Sequence, residues 1–179
     1  MDVLRSLDEA NEVSAIRLVR KRQIAKVGDI FRLAPLENVF LWGRLIERSN
    51  FFGLNAPFNL VYIYDAIGPE RPRPELLSPS NLIIGPCVVN NLGWVRGYWE
   101  IVAWEPVRPI DKLDRHLFVR HRGTGSPHDY DIVDENGKIV KAQINDIRVL
   151  SQSGFGNFNL IDCRLRAILR DRQILPIQV

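Results

Sequence analysis

The chain is built from short apolar runs separated by breaker residues. Ile30-Phe31-Arg32-Leu33, Val39 to Ile46, Leu60 to Tyr64, Leu82 to Val89, Tyr98 to Trp104 and residues 115–120 each collect aliphatic and aromatic positions between Gly, Pro, Asn or Asp. Runs of that length, bounded by turn residues, predict strands. Val27-Gly28-Asp29 reads as a turn feeding the first strand, and Pro35 is expected to end it because proline brings no amide to a ladder. Gly43, inside the second run, predicts a bulge or tight bend. Leu60 to Tyr64 is apolar or aromatic on both faces and predicts a central strand. From Tyr130 to Ala142, Asn136-Gly137 stands between Ile132-Val133 and Ile139-Val140, which predicts a hairpin on a type I′ turn. Ile147 to Leu150 adds a short strand. Gly68 to Pro74, with prolines at 69, 72 and 74, reads as a surface loop inside the domain.

Helical spacing marks the two ends. Residues 1–22 carry Ser6 and Glu9 at capping-box separation, acids early (Asp8, Glu9, Glu12) and bases late (Arg17, Arg20, Lys21, Arg22), in the order that suits a helix dipole. Their apolar spacing is fair, and residues 16–20 also fit a strand. Residues 160–172 place Ile161, Leu165, Ile168 and Leu169 on one helical face. The expected fold is mainly β (α+β): a bent antiparallel sheet or partly open barrel of short strands with N- and C-terminal helices. Residues 1–22 form a helical appendage, and residues 23–179 a single domain that includes the C-terminal helix.

Composition narrows the class without naming a chemistry. The 179 residues are 46% hydrophobic and 25% charged, with net charge +3, which suits a soluble globular chain and excludes disorder. A chain of this length buries about 70% of its unfolded surface and needs no disulfide or metal to fold. No apolar stretch is long enough for a transmembrane helix. The start, Met1-Asp2-Val3-Leu4-Arg5, lacks the basic-then-apolar pattern of a signal peptide, so a cytoplasmic chain with two reduced thiols, Cys87 and Cys163, is expected. Of 24 basic residues 19 are Arg, a bias that fits an anionic partner and equally a GC-rich genome.

Catalytic and metal chemistry finds little support. His116, His121 and His128 lie near Asp129 and Asp131, but their spacing matches no zinc pattern and solvated loop histidines are expected. Gly123-Thr124-Gly125-Ser126 lacks the Lys and the strand–helix context of a phosphate loop and reads as a flexible turn. Cys87 sits in an apolar run as an inert thiol. Asp29 is explained by a turn contact. The expectation is a non-enzymatic protein with no cofactor and no metal.

Binding is the better prospect. Arg17, Arg20, Lys21, Arg22 and Lys26 place five positive charges within ten residues with no acid among them, a pattern that holds phosphate backbones and also occurs at a solvated helix end. Trp, Tyr and Arg dominate interface hot spots. In Gly93-Trp94-Val95-Arg96-Gly97-Tyr98-Trp99, strand alternation puts Trp94, Arg96 and Tyr98 on one face, a candidate partner-binding surface if Trp99 points inward. The alternative is that the aromatic rings pack inside and Arg96 snorkels out.

The order of Val27-Gly28-Asp29-Ile30-Phe31, Pro35-Leu36, Trp42-Gly43-Arg44, Ile63-Tyr64-Asp65 and Trp99-Glu100-Ile101-Val102 resembles the immunity protein 26 family of bacterial polymorphic toxin systems, over roughly residues 20–125. The resemblance implies a mostly-β, cytoplasmic, non-enzymatic protein. Its partner would be a cognate toxin, bound and occluded to protect the producing cell. It carries over no contact residue. The alternative classes are a nucleic-acid-binding β-barrel using residues 17–26 and a small enzyme whose site residues are scattered along the chain.

Overall fold

The computed structural model describes residues 15–122, 130–141, 150–152 and 158–174. Strands β1 (Asp29–Leu36), β2 (Val39–Ser49), β3 (Phe58–Ile67), β4 (Leu82–Val89) and β5 (Trp99–Trp104) form one sheet in the order β4-β3-β2-β1-β5. Every pairing in it is antiparallel. Strands β6 (Leu117–His121), β7 (Tyr130–Val133) and β8 (Leu150–Gln152) form a second sheet in the order β7-β6-β8. A single helical turn, α1 (Leu92–Val95), precedes β5, and helix α2 (Phe158–Asp171) follows β8. The fold is mainly β with one long helix. It is not a closed barrel, because β4 and β5 remain the edges of the larger sheet.

Both faces of that sheet are buried, which is why its strands read as nearly continuous apolar runs. On one face Phe31, Leu41, Leu45, Val61 and Ile63 pack with Trp94, Trp99 and the α2 residues Phe158, Ile161, Leu165 and Leu169. On the other, Ile30, Trp42, Ile46, Leu60, Tyr62 and Tyr64 pack with Phe51, Leu77, Phe118 and Val133. Helix α2 therefore shuts the first face and the smaller sheet approaches the second. β3 is an interior strand, as its two-sided apolar character implies.

Three local expectations need correction. Pro35 does not end β1. It lies where the register with β2 shifts between Leu33 and Leu36, and a bulge tolerates the missing amide. Gly43 marks no bulge, since it pairs in register with Phe31 and Ile63. The Asn136-Gly137 turn is not type I′. Only Gly137 has positive φ (79°), its amide donates to Asp134 O (2.9 Å), and Asp134 N donates to Lys138 O (3.0 Å). That is a three-residue loop with glycine in the left-handed position. In the smaller sheet β8 runs parallel to β6, which the long connection between the two strands permits. Of the strand expected from Ile147 to Leu150, residues 147–149 lie outside the described residues.

The N-terminal helix expected over residues 1–22 is also corrected for its described part. Residues 15–22 form no helix. The amides of Leu18 and Val19 both donate to Gly97 O (2.8 and 3.1 Å), a carbonyl far along the chain. Residues 1–14 lie outside the described residues. At the other end α2 matches the expected helix closely and stops where Gln173 adopts φ 56° and Ile174 N donates back to Leu169 O (2.9 Å).

Candidate partner-binding surface

The aromatic segment Gly93 to Trp99 is not a strand. Val95 N donates to Asn91 O (3.0 Å) and Arg96 N to Leu92 O (2.9 Å), so the chain makes a helical turn where period-two alternation fails. Trp94 consequently points into the core. It is fully buried, edge-on to Phe31 (centroids 5.2 Å) and to Trp99 (4.8 Å). The expectation that Trp94, Arg96 and Tyr98 share an exposed face is thus corrected, and a partner cannot reach the Trp94 ring. Tyr98 is half-buried, stacked on Phe158 of α2 with centroids 4.5 Å apart. Arg96 alone is exposed.

The structure brings Arg96 to the other candidate group. Gly97, the next residue, has φ 79°, and a Cβ there would meet Val19 O at 2.0 Å and Arg17 Nε at 3.3 Å. Only glycine admits this approach. Beyond it, residues 17–27 run along the outer edge of β5 and in the same direction. Gln23 Oε1 accepts from Ile101 N (2.9 Å), and Val27 O accepts from Trp104 Nε1 (2.9 Å). Gln23 thereby occupies an edge amide of β5 that would otherwise invite another chain. Asp29 closes the ridge at its foot. Its carboxylate accepts from Lys26 N (2.8 Å) and its own amide donates to Lys26 O (3.0 Å), the turn contact expected of it. Burial raises the Asp29 pKa, against the Lys26 amide and charge.

Arg17, Arg20, Lys21, Arg22 and Lys26 are all exposed on this ridge. Arg17 is braced by backbone, donating to Val19 O (3.1 Å) and Arg20 O (3.1 Å). Among the described residues none of the five forms an ion pair. Elsewhere Arg32 is held by Glu100 (2.5 Å), Arg172 by Asp65 (2.8 Å) and Arg71 by Glu105. Large apolar groups stand beside the cations: Ile24 is 77% exposed, Trp104 51%, Val102 45% and Val27 41%. Lys26 Nζ lies 5.0 Å from the centre of the Trp104 ring. Sequence reasoning missed these four apolar residues. The β5 register shifts between Ile30 and Phe31 of its partner, and that bulge turns Val102 and Trp104 outward.

Reactive groups elsewhere are structural in their setting. His116 is buried, not solvated as expected. Its Nε2 meets Tyr62 Oη at 2.5 Å and its Nδ1 meets Glu135, while Tyr62 Oη accepts from Leu113 N (3.0 Å). Burial pushes the Tyr62 hydroxyl up to about 12. The Cys87 thiol is buried and pushed up to about 11 by desolvation. Hydrogen bonds from Arg122 hold the Asp131 carboxyl below its ordinary value. The His121 side chain, His128, Asp129 and the Gly123 to Ser126 loop lie outside the described residues. Among the described residues no three His, Cys, Asp or Glu side chains converge as metal ligands would. No helix among them is long and apolar enough to cross a membrane. An open cleft of about 390 Å³ lies between Trp42 and the 68–76 loop, with Arg and Glu of both signs on its rim.

Comparison with curated proteins and with solved structures gives no match. A family model described as Immunity protein 26 matches residues 26–126, which spans β1 to β6 and more than half of the chain. The match covers Val27-Gly28-Asp29-Ile30-Phe31, Pro35-Leu36, Trp42-Gly43-Arg44, Ile63-Tyr64-Asp65 and Trp99-Glu100-Ile101-Val102, the residues on which the resemblance rested. The chain belongs to the immunity protein 26 family.

Proposed function

We propose that this protein binds a cognate toxin of a bacterial polymorphic toxin system and neutralises it by occlusion, in the cytoplasm of the producing cell. The observation that carries this reading is the family match across the whole five-stranded sheet. The chemistry agrees with it. Tyr62, His116 and Cys87 are buried in packed surroundings, and one edge of the larger sheet exposes cations without ion pairs among the described residues beside apolar side chains. Those groups suit recognition of a macromolecule and not turnover of a small one.

Occlusion acts stoichiometrically, whereas an enzyme that modified the toxin would act in substoichiometric amounts. The test is to express the toxin domain encoded beside this gene, titrate it with the purified protein, and follow both toxin activity and complex mass. Full inhibition at one equivalent with a stable complex is expected. Complete inhibition at a small fraction of an equivalent would overturn the non-enzymatic reading, and failure to bind would overturn the immunity reading.

A further inference from the structure

We infer that the toxin-facing surface is the ridge formed by residues 17–27 and the outer edge of β5, and that it takes an acidic protein surface. This rests on the immunity reading and assigns it a place on the molecule. Three observations converge there. Arg20, Lys21 and Arg22 are exposed at consecutive positions and none forms an ion pair among the described residues, whereas Arg32, Arg71 and Arg172 are each matched to a carboxylate. An array of cations left unpaired in the free protein favours a partner of opposite sign and speeds its approach. Next, Ile24, Val27, Val102 and Trp104 expose apolar surface beside those charges. A desolvated apolar centre inside a charged border is the anatomy of a protein interface. Third, the ridge is preformed. Gly97 O, Gln23 and Val27 O fix residues 17–27 against β5, so little chain entropy is lost on docking.

A nucleic acid would use the same cations but a different neighbour. Base stacking requires open aromatic faces. Trp104 is the exposed ring of the ridge, and the Lys26 ammonium lies over it. The other large groups are aliphatic, which favours a protein. Gln23 also fills the Ile101 position of the β5 edge, so recognition runs through side chains and not through an added strand.

The experiment measures affinity for the toxin domain encoded beside this gene, and for mixed-sequence DNA and RNA oligonucleotides, at two salt concentrations. The variants are Arg20→Glu/Lys21→Glu/Arg22→Glu, Trp104→Ala and, as a distant surface control, Lys138→Glu/Lys141→Glu. Each is first matched to the native circular dichroism and melting curve. The triple reversal is expected to weaken toxin binding by about 100-fold with a reduced salt dependence, and Trp104→Ala by about 30-fold or more. The control should stay within about threefold, as rim charges far from a contact do. If the wild type binds and inhibits the toxin while both ridge variants match it, the surface assignment fails and the immunity reading stands. Absence of any toxin binding by the wild type sinks both. Oligonucleotide binding lost in the triple reversal, with toxin affinity unchanged, would reassign the ridge to nucleic acid.

Discussion

The Phe31 ring lies directly on Gly43: a Cβ at position 43 would stand 2.4 Å from Phe31 Cζ and 2.9 Å from Ile63 Cδ1. The glycine is required by its neighbours and not by its backbone. Phe31 in turn stacks on Trp99 (centroids 4.9 Å, planes 10° apart), so this contact joins β2, β1 and the edge strand β5 on the face that α2 covers.

Gly43→Ala should therefore overpack the core and cost about 1–3 kcal/mol in urea denaturation. The loss should be smaller on a Phe31→Leu background, where the ring is gone. Equal losses on both backgrounds would show that the two residues are not coupled.

Asp111 links stability to pH. Burial pushes its carboxyl up, but hydrogen bonds from Arg108 (2.8 and 3.0 Å) and the charges of Arg44 and Arg108 outweigh this, so the folded pKa lies below the ordinary 3.8. A depressed carboxyl contributes stability that is present above the unfolded pKa and is lost as pH falls through the folded one. Asp29, raised by burial, acts in the opposite sense, gaining stability as pH falls. Asp111→Asn should thus lower stability at pH 7 and flatten the decline below about pH 4. The loss should be about 3 kcal/mol or more, because Arg44 is buried and would keep an uncompensated charge. Chemical denaturation from pH 2.5 to 7, about one curve per half unit, measures both effects.

Cys87 should be chemically silent in the folded protein. With its pKa pushed up to about 11 by burial, the thiolate is scarce at pH 8 and shielded as well. In a Cys163→Ser background, a disulfide-exchange reagent should modify Cys87 only at the rate of global unfolding. Reaction at the rate of a free thiol would contradict its packed setting.

Tyr62→Phe removes the hydroxyl that accepts from Leu113 N and meets His116 Nε2. Leaving a buried donor without a partner costs about 1–3 kcal/mol. Hydrogen exchange at the Leu113 amide should accelerate while the amides of β1 keep their protection. Unchanged exchange at Leu113 would show that this bond contributes nothing.

Much of the fold was legible because the determinants are local. The apolar runs at 30–33, 39–46, 60–64, 82–89 and 98–104 all lie within strands or overlap them closely, and α2 follows from Leu165 and Leu169 spaced at one helical turn. Each of these signals resides in side chains only a few positions apart. The turn at Asn136-Gly137 was placed correctly and typed wrongly. Its geometry depends on Asp134, whose carboxylate accepts from Asn136 N and Lys138 N (both 2.9 Å), a competition that the dipeptide alone does not reveal.

The candidate surface was legible only in parts. Arg96 and the 17–26 cations were recognised separately, but nothing in the linear pattern joins residues that meet through a hydrogen bond spanning 78 positions, as Gln23 and Ile101 do. By itself the sequence determined the strands, the long helix, the two-sided apolar core and the family, because burial periodicity, turn residues and motif order all reside along the chain. Tertiary structure decided that Trp94 is core, that residues 15–22 follow β5 instead of coiling into a helix, and that Trp104 faces outward. Those outcomes depend on partners brought by other strands. Gly97 O satisfies the amides of Leu18 and Val19, and the β5 bulge sets which side chains reach solvent.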